Sequence, residues 1–169
     1  MAKLSTGIKL AAISTALLLA ACSTNRHADT GPAAESGSVS SEQTIVPGSA
    51  RDFQINVGDR VLFDYDASDL DDGDRATLQK QAAWLAKYPQ VTLTIEGHCD
   101  ERGTREYNIA LGARRAQAVK EYLTSLGVNS SRLDTISYGK ERPVCVESNE
   151  SCWSQNRRGV STIAGGATS

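Results

Sequence analysis

The stretch GHCDERGTREYN, residues 97 to 108, places acidic and basic side chains directly after an apolar run. Asp100 supplies a carboxylate there, and Arg115, further along the chain, supplies a guanidinium. A carboxylate can bind a ligand amine, and a guanidinium can bind a carboxylate through two hydrogen bonds. The residues therefore suggest a site for a ligand that bears both groups. The alternative is that the two side chains pair only with each other or cap a helix.

Helical spacing would bring further side chains to the same place. Asn108, Leu111 and Arg115 are separated by three and four residues, so they share one face of a helix. Arg102 and Thr104 belong to the loop before that helix. Free backbone amides at a helix start attract anions. We therefore expect the loop and the first turns of the helix to form one polar pocket.

Alternating strand-like and helical segments would position these residues. Period-two alternation predicts strands at residues 60–65, 91–97, 132–140 and 160–165. Helical periodicity predicts helices over Arg75–Tyr88 and Arg105–Leu126, with a short one within residues 151–159. This order predicts an α/β two-layer sandwich. Because the strands keep a polar face, all helices are expected on one side of the sheet.

The N-terminus has the pattern of a secretory signal. Lys3 and Lys9 precede an apolar run, residues 10–21, that is too short to span a bilayer. The run ends in LAAC, which resembles the bacterial lipobox, so residues 1–21 are predicted to be a signal peptide and Cys22 the lipidated residue. The alternative is an ordinary secretory signal with a chance cysteine.

The segment after the signal differs in composition from the rest. Residues 23–50 are rich in Ser, Thr, Ala and Gly and contain few large apolar residues, which predicts a flexible segment. We expect residues 22–52 to form a lipidated tether and residues 53–169 to form the folded domain. Ser23, directly after the lipidated cysteine, suggests the outer membrane, with the domain facing the periplasm.

The charge balance argues against nucleic acid as a partner. The chain has 18 Lys and Arg against 20 Asp and Glu, a formal net charge of −2 at pH 7. Loss of residues 1–21 would remove two lysines and no acid, which makes the net charge −4. A mildly acidic protein lacks the basic surface that nucleic-acid binding requires.

The remaining cysteines predict one disulfide. Cys145 and Cys152 are close in sequence and Cys99 is remote from both, so in an oxidising periplasm the first two are expected to pair. Cys99 would then remain a thiol. A zinc site at Cys145 and Cys152 is the rival interpretation, but two further ligands at suitable spacing are lacking. No metal or cofactor is expected.

Three blocks of the sequence resemble the OmpA-like carboxy-terminal domain, and within that family the peptidoglycan-associated lipoproteins. The blocks are VLFDYDASDL, EGHCDERGTREYNIALGARRAQAVKEYL and YGKERPVC with CWSQNRRG. The resemblance covers roughly residues 55 to 164. It implies a mixed β-sheet with helices packed on one side. It also implies a ligand, the diaminopimelate-containing stem peptide of peptidoglycan, which presents an amine and carboxylates.

The resemblance also assigns site residues. Asp100 and Arg115 fall on the family's binding acid and arginine, and Phe63 and Asp64 match its first-strand "F-D". The implied ligand-binding set is Phe63, Asp64, Asp100, Arg102, Thr104, Asn108, Leu111 and Arg115. One departure is Cys99, where the family commonly has Thr or Ser. A thiol there is expected to weaken a local hydrogen bond without removing the site.

The family's partners extend the expected function. The resemblance implies an outer-membrane lipoprotein that binds peptidoglycan and the Tol proteins, TolB in particular, in envelope integrity and cell division. One alternative is a protein-interaction module that binds TolB without strong peptidoglycan affinity. A peptidoglycan hydrolase is the other, but Cys99 lacks the base and the orienting group that a nucleophile needs. The chain is therefore not expected to be an enzyme.

Overall fold

The computed structural model describes residues 44–169. The predicted signal peptide, the lipidation site Cys22 and most of the predicted tether lie outside the described residues. Within them, strands and helices alternate in the order that the sequence predicts, after one short additional helix. No helix in residues 44–169 is long and apolar enough to cross a membrane.

Four strands form one mixed sheet in the order β1–β4–β2–β3. They are β1 (Arg60–Leu62), β2 (Thr92–His98), β3 (Leu133–Gly139) and β4 (Arg158–Gly165). β2 and β3 run parallel, as a crossover through a helix requires, whereas β4 is antiparallel to both β1 and β2. The expected mixed sheet is thus confirmed. β2 lies in the interior of the sheet, between β4 and β3. Both of these strands pair with β2 near its C-terminal end, where the predicted site begins.

The helices are α1 (Ala50–Asp52), α2 (Asp72–Lys87), α3 (Arg105–Ser125) and α4 (Glu150–Asn156). A π-helical turn, Phe53–Val57, continues α1, and a 3₁₀ turn, Ser130–Arg132, precedes β3. α2 begins three residues earlier than predicted, because the Asp71 carboxylate accepts from the Asp74 amide at 2.7 Å and the Asp74 carboxylate accepts from the Asp71 amide at 3.2 Å. Such a reciprocal cap stabilises the first turn of a helix.

The hydrophobic core lies between the two long helices and one face of the sheet. Leu93 and Ile95 of β2 are fully buried within one apolar cluster that also includes Leu85 of α2 and Val119 of α3. α3 approaches the sheet very closely, because a Cβ built on Gly97 of β2 would overlap the carbonyl oxygen of Gly112 of α3. The close approach fixes the start of α3 against the end of β2.

The packed domain reaches further toward the N-terminus than residue 53. Asp52, within the predicted tether, accepts a hydrogen bond from the Trp84 indole at 2.9 Å, and the Thr168 amide donates to the Gly48 carbonyl at 3.1 Å. Phe53 is buried beside Trp84, with ring centroids 4.9 Å apart. The composition of the segment did not reveal these contacts, because they join residues far apart in the chain.

The predicted disulfide is present between Cys145 and Cys152, and Cys99 is a buried free thiol. The disulfide joins the loop after β3 to α4. The side chain of Asn156 reinforces this link, since it accepts from the Val144 amide at 2.8 Å and donates to the Cys145 carbonyl at 2.6 Å. Across residues 44–169, no cluster of three or more His, Cys, Asp or Glu side chains has the arrangement of a metal site.

Candidate functional site

A pocket of about 180 Å³ lies between the end of β2, the start of α3 and the loop after β1. Its lining residues are Tyr65, Asp66, Cys99, Asp100, Arg102, Gly103, Tyr107, Asn108, Leu111 and Arg115. Five of the eight predicted ligand-binding residues are therefore in one cavity: Asp100, Arg102, Asn108, Leu111 and Arg115. The fold brings the carboxylate of the loop and the guanidinium of the helix to the same pocket.

Asp100 is buried, and its carboxylate already accepts four hydrogen bonds. Oδ1 accepts from the amide and Nε of Arg102, both at 3.1 Å, while Oδ2 accepts from Arg102 Nη2 at 2.6 Å and Arg157 Nη1 at 3.5 Å. Burial raises the pKa of Asp100, but the hydrogen bonds from Arg102 outweigh burial and the net pKa is lowered. Since a carboxylate accepts about four hydrogen bonds, a ligand amine at Asp100 would have to displace an arginine.

Arg115 is fully buried and holds three chain segments together. Nε donates to the Ala67 carbonyl at 2.8 Å, Nη1 to the His98 carbonyl at 2.8 Å and Nη2 to the Asp64 carbonyl at 3.0 Å. Burial lowers the pKa of Arg115. A guanidinium has five N–H groups, so two, one on each Nη, make no hydrogen bond to an oxygen of residues 44–169. Arg115 is therefore both a structural residue and a candidate carboxylate contact.

The geometry excludes the simple alternative for the two charges. Within residues 44–169, Asp100 and Arg115 share no hydrogen bond, since Asp100 binds Arg102 and Arg157 and Arg115 binds backbone carbonyls. The cap of α3 is Thr104, whose Oγ1 accepts from the Tyr107 amide at 3.2 Å. Asp100 and Arg115 are thus neither an isolated ion pair nor a helix cap.

Arg102 lies between two aromatic rings. Its guanidinium carbon is 4.2 Å from the ring centroid of Tyr65 and 4.1 Å from that of Trp153. Both distances are within the range of cation–π attraction. Nε and Nη2 donate to Asp100, whereas Nη1 makes no hydrogen bond to any residue of the described chain. Arg102 therefore presents unused N–H donors beside the pocket.

Asn108, Leu111 and Thr104 shape the pocket without offering charge. The Asn108 amide nitrogen donates to the Arg102 carbonyl at 2.7 Å and the Thr104 carbonyl at 2.9 Å, which fixes the loop against α3. Leu111 is buried and supplies an apolar wall. Thr104 does not line the pocket, so its part in the site is to start the helix.

Phe63 and Asp64 occupy different places from the other predicted residues. Phe63 is buried in the core with its ring 5.1 Å from the Arg115 guanidinium, and Asp64 contributes its backbone carbonyl to Arg115. Both side chains line a separate cavity of about 230 Å³. β1 ends at Leu62, three residues earlier than predicted.

Tyr65, Asp66, Gly103 and Tyr107 line the pocket and were not among the predicted site residues. Asp66 has a φ of 56°, which is uncommon outside glycine, and its Oδ1 accepts from the Tyr107 hydroxyl. The backbone turn at Asp66 directs Tyr65 and Asp66 toward α3. Tyr65 ends the predicted strand 60–65 and Asp66 follows it, which was a usable signal, because loops at strand ends commonly carry binding residues.

His98 and Cys99 are buried at the end of β2 and do not form a catalytic pair. Burial lowers the pKa of His98 to about 4, with a further lowering from Arg158 and Arg142, so the ring is neutral at neutral pH. Its Nε2 lies 3.3 Å from Glu96 Oε2, which is a hydrogen bond from a neutral ring, and its Nδ1 has no hydrogen-bond partner among residues 44–169. Burial raises the pKa of the Cys99 thiol, which donates to the Asn108 carbonyl.

Comparison with known proteins gives the same fold and much of the same sequence. A family model, the OmpA family, matches residues 62–157, more than half of the chain. The peptidoglycan-associated lipoprotein of Agrobacterium fabrum is 50% identical over 167 residues, which are 99% of this chain and 93% of that protein. That of Rhizobium meliloti is 62% identical over 123 residues, 73% of this chain and 69% of that protein.

A solved structure agrees with these matches. The crystal structure of the peptidoglycan-associated lipoprotein from Burkholderia pseudomallei superimposes with a TM-score of 0.61 at 43% sequence identity, over 62% of this chain and 89% of that chain. The OmpA-like domain is a structural, non-catalytic domain, which supports the prediction that the chain is not an enzyme. The chain belongs to the OmpA family and, within it, to the peptidoglycan-associated lipoproteins.

Proposed function

We propose that this chain binds peptidoglycan non-covalently through the pocket between β2 and α3, and that it thereby tethers the outer membrane to the cell wall. The observation that carries the proposal is the mixed charge of the pocket. Guanidinium groups of Arg102 and Arg115 and carboxylates of Asp66 and Asp100 surround one small cavity. The names of the relatives support the same ligand.

The diaminopimelate residue of a stem peptide has the chemistry that such a pocket can bind. Its side chain ends in an ammonium group and a carboxylate, which can pair with the carboxylates and the guanidinium groups of the pocket. At about 180 Å³ the cavity suits one amino-acid side chain rather than a strand of sugars. Specificity would then come from the peptide, and the glycan would remain outside the pocket.

The arrangement of free donors and acceptors assigns roles to the charged residues. Arg102 Nη1 and the two remaining N–H groups of Arg115 would bind a ligand carboxylate. Asp66 has one carboxylate oxygen without a hydrogen bond inside residues 44–169, so it offers the ammonium group a free acceptor. Asp100 would act mainly by holding Arg102 in place and by balancing the positive charge.

Binding of the purified chain to isolated sacculi tests this proposal. Asp100→Asn leaves the side-chain shape nearly unchanged but removes a charge that holds two arginines, so the affinity should fall by about tenfold to a hundredfold, as loss of a charged hydrogen bond predicts. Asp134→Asn is the matched control, because Asp134 is an exposed acid on β3 at the opposite end of the strand from the pocket.

The experiment uses no other protein, which separates the two candidate functions. Sedimentation of the parent and of Asp134→Asn with sacculi, and weak sedimentation of folded Asp100→Asn, is the expected result. A parent chain that stays in the supernatant would contradict peptidoglycan binding and favour the protein-interaction alternative. Equal sedimentation of all three proteins would show that the ligand binds elsewhere.

Lipid anchoring at Cys22 is the second part of the proposal. The lipoprotein relatives support a membrane-anchored protein of the cell envelope, and the residue after the cysteine favours the outer membrane. Residues 23–46, if fully extended, would span at most about 80 Å between lipid and domain. In this proposal, residues 1–21 are the signal peptide, and residues 22–52 are the lipidated cysteine and the tether.

Replacing Cys22 with alanine should abolish the anchor. The expected product is an uncleaved or mislocalised precursor without acyl chains, detected by cell fractionation and mass spectrometry. Cys99→Ser is the control, because Cys99 is a buried thiol of the domain and its loss should leave processing unchanged. Normal processing and membrane association of the Cys22→Ala protein would refute lipidation at this residue.

We also propose TolB and other Tol proteins as partners, which would place the chain in the Tol–Pal system. The family resemblance supports this part of the proposal, with a binding surface that overlaps the pocket. Competition provides its measurement: TolB and sacculi should displace each other from the purified chain. Simultaneous binding of both would contradict an overlapping surface.

A further inference from the structure

One side chain that contacts the pocket residue Arg102 comes from a segment far from it in sequence. The ring centroid of Trp153, in α4, lies 4.1 Å from the guanidinium carbon of Arg102, and that of Tyr65 lies 4.2 Å from the same atom. Arg102 follows β2, whereas Trp153 lies after β3, so only the tertiary fold makes this contact. Trp153 is not among the residues that line the pocket.

We propose that Trp153 is a positioning residue for ligand binding: it holds Arg102 in the orientation that binds a ligand carboxylate. This inference rests on the proposed function and adds a residue to it. An arginine side chain has many rotamers, and fixing them on binding weakens affinity. Two rings that already confine the guanidinium remove that cost from the binding step.

The contacts of Arg102 show which part of the side chain remains for the ligand. Tyr65 and Trp153 each place a ring within cation–π distance of the planar group, and Asp100 accepts hydrogen bonds from Nε and Nη2. Only the edge with Nη1 is unoccupied within the described part of the chain. Stacking and ion pairing together therefore leave the guanidinium one orientation with free N–H donors.

Trp153 is itself held rigidly enough to act in this way. Its indole Nε1 donates to Glu101 Oε1 at 3.0 Å, which joins α4 to the loop of Asp100 and Arg102. The adjacent residue, Cys152, is buried and disulfide-bonded to Cys145. The contact of Trp153 with Arg102 is therefore supported from the loop and from within α4.

Isothermal titration of the full chain in detergent with a muramyl tripeptide ending in meso-diaminopimelate tests the inference. Trp153→Ala should weaken binding by about threefold to tenfold, as loss of one cation–π contact predicts. Trp153→Phe should recover most of the affinity, because phenylalanine keeps an aromatic face. Recovery should be incomplete, because phenylalanine cannot donate a hydrogen bond to Glu101. Tyr122→Ala is the matched control, since it removes the Arg75–Tyr122 contact away from the pocket.

A double-mutant cycle distinguishes positioning from a general structural effect. Arg102→Lys keeps a positive charge but loses the planar group that stacks. If Trp153 acts through Arg102, Trp153→Ala should cause at most about a twofold further loss in the Arg102→Lys background, because coupled residues are not additive. If Trp153 merely stabilised the fold, the fold-losses in affinity caused by Trp153→Ala and Arg102→Lys would multiply in the double variant.

Three results would overturn the inference. They are unchanged affinity in Trp153→Ala, full multiplication of the two effects in the cycle, and an equal loss in Tyr122→Ala. Failure of the proposed function gives a different result, because the parent chain itself would then not bind the tripeptide. That result would also contradict this inference.

Discussion

Replacing Arg115 with alanine is expected to destabilise the domain by about 3–5 kcal/mol, in addition to any loss of ligand binding. The guanidinium is fully buried and donates to three backbone carbonyls, those of Asp64, Ala67 and His98. Each buried carbonyl left without a donor costs about 1–3 kcal/mol, less where water enters the space. The loop after β1 would then lose its attachment to α3.

Urea unfolding followed by circular dichroism measures this effect, and the adjacent residue provides the control. Arg114 is exposed on the same helix, so Arg114→Ala should change the unfolding free energy by about 0.5 kcal/mol or less. The unfolding free energy of Arg115→Lys should lie between those of the parent and of Arg115→Ala, because an ammonium group cannot reproduce three divergent hydrogen bonds. An Arg115→Ala protein within about 1 kcal/mol of the parent would contradict this structural role.

This expectation changes the design of binding experiments. From the sequence, Arg115→Ala should lose the ligand and remain folded, but its burial makes loss of stability the first consequence. A binding defect in that variant therefore does not by itself identify a ligand contact. Asp100→Asn and the Trp153 variants are better probes of the pocket.

Replacing Gly97 with alanine is expected to cost about 3 kcal/mol or more, at the upper end of overpacking. A Cβ at Gly97 would overlap the backbone carbonyl of Gly112, and backbone cannot move aside as a side chain can. α3 would have to shift away from β2, which would displace the residues of the pocket that it carries.

Gly165→Ala is the matched control for this substitution. A Cβ there would meet Thr92 Oγ1 at 3.4 Å, an ordinary contact, and Gly165 does not have a positive φ. Its unfolding free energy should therefore stay within about 0.5 kcal/mol of the parent. The measurement is thermal or urea unfolding of the two alanine variants side by side. Equal stability of both would show that α3 can move away from the sheet at little cost.

The local pattern of the sequence determined the elements and their order. Val91, Leu93 and Ile95 alternate with polar residues, and this period of two is a property of any half-buried strand. The small residues of α3 indicated a close approach to the sheet, and the spacing of Cys145 and Cys152 indicated their disulfide. Each of these signals depends only on neighbouring residues.

The resemblance to known domains added the mixed sheet and the identity of the pocket. Of the eight site residues that the resemblance assigned, five lie in one cavity: Asp100, Arg102, Asn108, Leu111 and Arg115. Thr104 caps α3, while Phe63 and Asp64 line a separate cavity, and β1 ends at Leu62, three residues earlier than predicted. Element ends depend on hydrogen bonds to distant partners, so periodicity predicts them poorly.

Only the tertiary structure decided what each charged side chain binds. The sequence predicted that Asp100 and Arg115 lie near each other. In the fold, Asp100 accepts hydrogen bonds from Arg102 and Arg157, whereas Arg115 donates to three backbone carbonyls. The contact of Trp153 with Arg102 likewise joins segments on either side of β3. Periodicity reports which face of an element is buried, whereas hydrogen-bond partners depend on how several elements pack together. For this reason the sequence determined the strands, helices and candidate residues, and the packing determined their roles.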